Sequence, residues 1–184
     1  MTVKEVIQTT AIMIGRNDIV DYFNGKSSGT DTVENVSSLE GLVNLVINEL
    51  SCTYIPLVKV ETVIVTLGKV YFSDLSEKIL HVRGVYSQHG KAVPYTETAK
   101  YLSVDMDKVD IEYEYTPKLL KLDDQIGYDE KDVPTRVLAY GVAAEFAISE
   151  RRFDEAVTFH KRYVDALSEM FAPKNSIIRQ RSFI

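Results

Sequence analysis

The sequence predicts an α+β protein: helices first, then a block of antiparallel strands, then a helical hairpin and an extended tail. Three observations carry this. Apolar residues recur at i, i+3, i+4 and i+7 towards both ends of the chain, the period of a helix buried along one face. Between about residues 57 and 117 the grammar changes to β-branched and aromatic residues in short alternating runs. Pro56 and Pro117 stand at the two changes of grammar.

The first helix is read over residues 3–14, where Val3, Val6, Ile7, Ala11 and Ile14 keep helical spacing. "GRND" interrupts it, and "DIVDYF" supplies a short second helical turn. "NGKSSGTDTVENVSS" reads as a polar loop. Leu39, Leu42, Val43, Val46, Ile47 and Leu50 then form an apolar stripe, and Ser37 with Glu40 is expected to close a capping box at its start. In the strand block, "LGK" is a turn inside "LVKVETVIVTLGKVYF". "SQHG" is expected to join "ILHVRGVY" to "KAVPY" as a hairpin, and "DMD" to join "KYLSV" to "KVDIEYEYTP" in the same way. In the last strand Val109, Ile111, Tyr113 and Tyr115 alternate with Asp110, Glu112, Glu114 and Thr116, which predicts one packed face and one acidic, wet face.

"KLLKLDDQIGYDEKD" is a connecting segment. The C-terminal helices follow, with Asp132 as the expected N-cap and Pro134 in the first turn. Val137, Tyr140, Gly141, Ala144 and Ile148 make the inner stripe of the first. "SERRF" breaks it, Asp154 is expected to cap the second, and Phe153 to pack at the turn. The second stripe is Ala156, Phe159, His160, Tyr163, Leu167, Met170 and Phe171. The reading is one domain over residues 1–172, its strand block inserted between helical parts, and an extended arm over 173–184.

Composition narrows the function. At 184 residues with 45% apolar and 26% charged residues, the chain can bury a sizeable core. No apolar run nears the roughly 20 residues that span a bilayer, so no membrane role is expected. Its N-terminus lacks the basic-then-apolar layout of a secretory signal. Cys52 has no second cysteine to pair with and is expected to be a buried, inert thiol. The net charge of −6 comes from residues 105–132, where ten acids face four lysines. No basic nucleic-acid groove is visible.

No catalytic signature stands out. "GKSSGT" lacks the leading glycine of a phosphate loop, since Val20 occupies that position. His81 lies in a strand, His89 at a hairpin tip, and His160 on a helix stripe where a core role is expected; none has a suggestive partner. The acidic runs do not match calcium-loop spacing. One histidine trio and one cysteine make a zinc site improbable, so neither a metal nor a cofactor is expected. "RRFDEA" resembles the turn of a helical repeat but has no second copy, so it is a sharp helix–helix turn.

Two features invite partners. The tail keeps Ile177, Ile178, Phe183 and Ile184 among Arg179 and Arg181, residue types enriched at protein interfaces. An arm docking on a partner is expected from it. In "YGVAAEFAIS", Gly141 and Ala144 face one way and Ala143 and Ala147 another. Two small faces imply two close neighbours: the following helix, and either the 39–50 helix or an adjacent subunit.

The order "LEGLVNLVINELSCTYIPLVKVETV", "GKVYFSDLSEKILHVRGV", "VDIEYEYTPKLLKLDD" and "VPTRVLAYGVAAEFAISERRFDEAVTFHKRYVDAL" resembles the head–tail connector (adaptor or neck) proteins of tailed bacteriophages. The resemblance spans about residues 37–171. Its strongest part is the tyrosine-bearing strand ending in Thr-Pro, followed by the "AYGVAAEF…ERRFDEA" hairpin. It implies a non-enzymatic virion protein in the neck, assembled from the host cytoplasm, forming a ring (commonly a dodecamer) beneath the portal. The arm would meet the portal protein, another face the next neck or tail ring, and DNA would pass through without specific contacts. Asp110, Glu112, Glu114, Asp123 and Asp124 are the candidates for an acidic lumen that repels phosphates. The rival readings are a non-viral intracellular scaffold or adaptor, and a carboxylate-dependent hydrolase.

Overall fold

The computed structural model describes residues 1–26 and 28–171. Helix α1 (Val3–Met13) starts with a true capping box: the Thr2 hydroxyl accepts from the Glu5 amide at 3.2 Å, and the Glu5 carboxylate accepts from the Thr2 amide at 2.8 Å. Gly15, at φ 74°, turns the chain into α2 (Asn17–Phe23). Helix α3 (Thr30–Glu49) is longer than the apolar run implies. Residues 30–38 are helical, so the expected loop is shorter and Ser37 sits inside the helix rather than capping it. Thr32 and Val36 are buried and extend the stripe of Leu39 and Val43 by two turns; the polar residues between them simply face solvent. The segment resembling a phosphate loop therefore does open a helix, but the element before it is α2 and not a strand. A wide turn at Leu50–Tyr54 ends the helical layer.

Six strands follow: β1 (Leu57–Ile64), β2 (Lys69–Tyr71), β3 (Lys78–Tyr86), β4 (Tyr95–Glu97), β5 (Tyr101–Val104) and β6 (Lys108–Thr116). They form two antiparallel sheets ordered β1-β6-β3 and β2-β5-β4. Leu67 and Gly68, both at positive φ, make the tight turn from β1 to β2. Beyond the Thr66–Lys69 bridge the two strands part into different sheets. The expected β5–β6 hairpin does not form. Strand β6 instead pairs with β1 over eight residues and with β3 on its other side, while four-residue β5 joins β2 and β4. The longer ladder satisfies more backbone, and it leaves Val109, Ile111 and Tyr113 to face Val70, Leu102 and Val104 across a small sandwich core. The "SQHG" turn does close, with the Ser87 amide donating to the Lys91 carbonyl at 2.8 Å, yet β4 beyond it crosses to the second sheet.

Residues 117–134 lack regular structure but are pinned to the helices. The Lys4 amide donates to the Leu122 carbonyl, the Ile126 amide to the Met1 carbonyl, and Asn44 exchanges two hydrogen bonds with the Leu120 backbone. The Tyr128 hydroxyl donates to the Ile55 carbonyl at 2.7 Å. Helix α4 (Thr135–Ser149) has Pro134 at the N-cap position, and the Glu130 carboxylate, not Asp132, accepts from the Thr135 amide at 3.0 Å. Arg151, at φ 59°, makes the sharp turn into α5 (Phe153–Phe171). Asp154 lies in the first turn of α5 rather than before it, and Phe153 is exposed rather than packed. Among the described residues no helix is long and apolar enough to cross a membrane.

Candidate interaction surfaces

Helix α4 is buried almost all round, packed against α1, α3 and α5. A Cβ on Gly141 would stand 2.9 Å from Val46 Cγ1 of α3 and 3.2 Å from the Tyr163 ring of α5. Only glycine lets both side chains approach. Ala143, Ala144 and Ala147 are likewise buried within the single chain. The neighbours of the small faces are thus the chain's own helices, which closes the option of an adjacent subunit there. Tyr140 and Ile148, expected in the inner stripe, are half-buried and exposed respectively, because they lie at the edge and end of the helix contact.

The sheet β1-β6-β3 presents an outer face to solvent. Cross-strand register puts Val58 opposite Glu114, Val60 opposite Glu112, Thr62 opposite Asp110 and Ile64 opposite Lys108. Val60 is 62% exposed and Ile64 73%. The β6 alternation holds as expected on its inner side. Its outer side is half-buried rather than fully wet, since the Glu114 carboxylate accepts from Arg83 Nε at 2.9 Å and Asp110 from the Thr62 hydroxyl at 2.5 Å. Tyr86 lies across Gly84 on this face, where a Cβ would meet its hydroxyl at 2.7 Å.

Register also decides the inner face of β1. Lys59 and Glu61, opposite Tyr113 and Ile111, turn inward together with Val63, while Val58 and Val60 turn out. The Glu61 carboxylate accepts from the Tyr113 hydroxyl at 2.7 Å and from the Ser76 hydroxyl at 2.7 Å, and Lys59 donates to the same Ser76 hydroxyl at 2.6 Å. Burial raises the Glu61 pKa, but hydrogen bonds from Ser76 and Tyr113 outweigh it and hold the carboxyl below its usual range. Burial first, and then the bond to Glu61, push the Tyr113 hydroxyl up to about 12. Sequence reasoning missed this knot, which only the pairing register exposes.

The five acidic candidates do not form one surface. Asp110, Glu112 and Glu114 share the outer face of β6, whereas Asp123 and Asp124 lie in the loop beside the N-terminus of α1, where Asp124 accepts from the Lys121 amide at 2.8 Å. Among the described residues no three acidic, histidine or cysteine side chains gather as a metal would require. Cys52 is exposed in the wide turn after α3, not buried. His160 is exposed as well, since the buried side of α5 runs through Ala156, Phe159, Tyr163 and Leu167. Tyr163 is buried with no hydrogen-bond partner for its hydroxyl, and burial pushes that group's pKa up.

A second apolar stripe runs along α5 beside the buried one: Phe153 (62% exposed), Val157 (70% exposed), Val164 and Phe171 recur within a narrow arc. The tail residues Ile177, Ile178, Arg179, Arg181 and Phe183 lie outside the described residues. No protein-family model matches the chain, and no curated protein matches it.

Proposed function

We propose that this chain is a non-enzymatic structural protein of a tailed bacteriophage, a head–tail connector that assembles as a ring between portal and tail. The observation that carries the reading is the doubled stripe on α5. One apolar line packs on α4, while Phe153, Val157, Val164 and Phe171 stand outside it on a surface that isolated monomers have no use for. A ring supplies a neighbour for every copy of such a face. The acids Asp110, Glu112 and Glu114, gathered on one sheet face, suit a wall past which DNA slides without sticking; Asp123 and Asp124 belong to a different part of the ring. The arm after Pro173 would meet the portal protein.

The test is size by light scattering, on the purified chain alone and mixed with the portal protein from the same genetic neighbourhood. A ring, or a large shift on mixing, supports the connector. No shift in any condition moves the weight to a non-viral scaffold. A chain cut after Pro173 is expected to stay folded and to lose portal association; undiminished binding would sink the role of the arm.

A further inference from the structure

We propose that β1 is a self-pairing edge, which docks antiparallel on β1 of a second copy of this chain about a two-fold axis at Val60. The inference stands apart from the ring reading, which rests on α5. Strand β1 is an edge strand: among the described residues it pairs only with β6. Its ladder runs through eight consecutive pairs without a bulge, whereas β3 at the opposite edge is broken by irregularities at Ile79/His81 and Val82/Gly84. The edges of the second sheet, β2 and β4, are three residues each. Bulges and shortness guard an edge against further pairing, and a long regular edge invites it. Among the described residues only β1 carries that invitation, with Val60 and Ile64 standing in solvent on its outer face.

Charge identifies the occupant. Lys59 and Glu61 turn inward on either side of Val60, which turns out. An inward lysine by itself keeps a foreign strand off an edge. Two copies of this strand, antiparallel and centred on Val60, instead set Lys59 opposite Glu61 of the second copy, and Glu61 opposite its Lys59. Directly opposed Cβ atoms stand about 4.5–5.5 Å apart, within reach of both ion pairs. Sliding the centre to Lys59 or to Glu61 sets like charges opposite each other, which is destabilising. The charges thus admit the chain's own strand in one register.

The rest of the strand agrees with that register. The hydrogen bonds to Glu61 from the Tyr113 hydroxyl and from the Ser76 hydroxyl and amide all end on Oε2. No described residue donates to Oε1, so that oxygen is open to the lysine of the second copy. On the outer face Val60, 62% exposed in the single chain, meets its own counterpart on the axis. Val58 meets Thr62 of the second copy, a β-branched pair that packs well across strands. Backbone N–H and C=O groups along the edge supply the main attraction, as when any strand is added to a sheet. The β1-β6-β3 sheets of the two copies become one continuous sheet.

The experiment uses the full chain. With Cys52→Ser as background, Val58→Cys, Val60→Cys and Thr62→Cys are made one at a time and oxidised mildly. Residue 60 opposes itself, whereas residues 58 and 62 each lie about 13 Å along the strand from their counterparts. Disulfide dimer should therefore form about tenfold faster from Val60→Cys than from the other two. Equal rates at the three positions, or a maximum at 58 or 62, would overturn the proposal. Independently, light scattering over a concentration series should find a dimer for the native chain and monomers for Lys59→Glu and for Glu61→Lys. Mixing those two variants should restore the dimer, since every acid then faces a lysine. A native chain that stays monomeric, or variants that associate as the native chain does, would sink it as well. The cysteine series leaves the bonds of Glu61 intact and decides the matter even where Glu61→Lys fails to fold.

Discussion

The helical layer and the strand block solve the same problem in opposite ways. Around α4 the chain buries small residues on every side, and stability comes from close apolar contact: Gly141 under Val46 and Tyr163 leaves no room for one more carbon. The strand block is thinner. Its core is flanked by a polar knot at Glu61, Ser76 and Tyr113, and its outer face leaves valines and an isoleucine in solvent. A densely packed part can position surfaces rigidly; a thin, half-open sheet can offer an edge and a face to something else. The contrast teaches where partners are to be sought.

The sharpest way to break the comparison is to overfill the helical layer. Gly141→Leu should destabilise the protein by about 3 kcal/mol, at the upper end of overpacking penalties, and denaturant unfolding checks it. A variant as stable as the parent would mean that α3 and α5 are not seated as described. In the strand block the corresponding loss is smaller. Tyr113→Phe removes one hydrogen bond to a half-exposed carboxylate and should cost about 1 kcal/mol, with the loss confined to amide exchange in β1, β3 and β6.

The same pair makes the block sensitive to pH at both ends. Glu61 has its folded-state pKa lowered, so its contribution is present above the unfolded value and is lost as pH falls through the folded one. Tyr113 has its pKa raised from 10.0 to about 12, so its contribution is full below 10 and disappears as pH rises through 12. Unfolding followed across both ranges should show the strand-block signals weakening at each extreme, and Tyr113→Phe should remove the alkaline loss from them. The smallest effect belongs to Tyr163→Phe. Its hydroxyl is buried without a partner, so removing it should leave stability unchanged or raise it by up to about 1 kcal/mol, which thermal unfolding reads.

Legibility followed the range of the forces. The stripe of α3 from Leu39 onward and the alternation in β6 were readable because period and burial agree there. The start of α3 was not. Polar residues at 30–38 look like a loop until Thr32 and Val36 are seen to continue the buried line. The capping box lies at Thr2 and Glu5 and not at Ser37 and Glu40, which have the same spacing, because such a pair acts as a cap only where a helix starts. In β1 the alternation does not tell which face is buried. Val58 and Val60 look like core residues and face solvent, because Lys59 and Glu61 stand opposite the buried side of β6.

The sequence by itself determined the kinds of element, their order, and most of their bounds, since propensity, turn residues and periodicity act within a few neighbours of each residue. It also determined that α4 needs close company, because a run of glycine and alanine fills no core alone. Tertiary structure decided the rest: that α3 and α5 are the neighbours that meet at Gly141, that β6 sits between β1 and β3 rather than folding back on β5, and which face of β1 meets water. The strand outcomes depend on pairings such as Leu57 with Tyr115, far apart in the chain, where one step of register turns every side chain over and no local pattern records the choice.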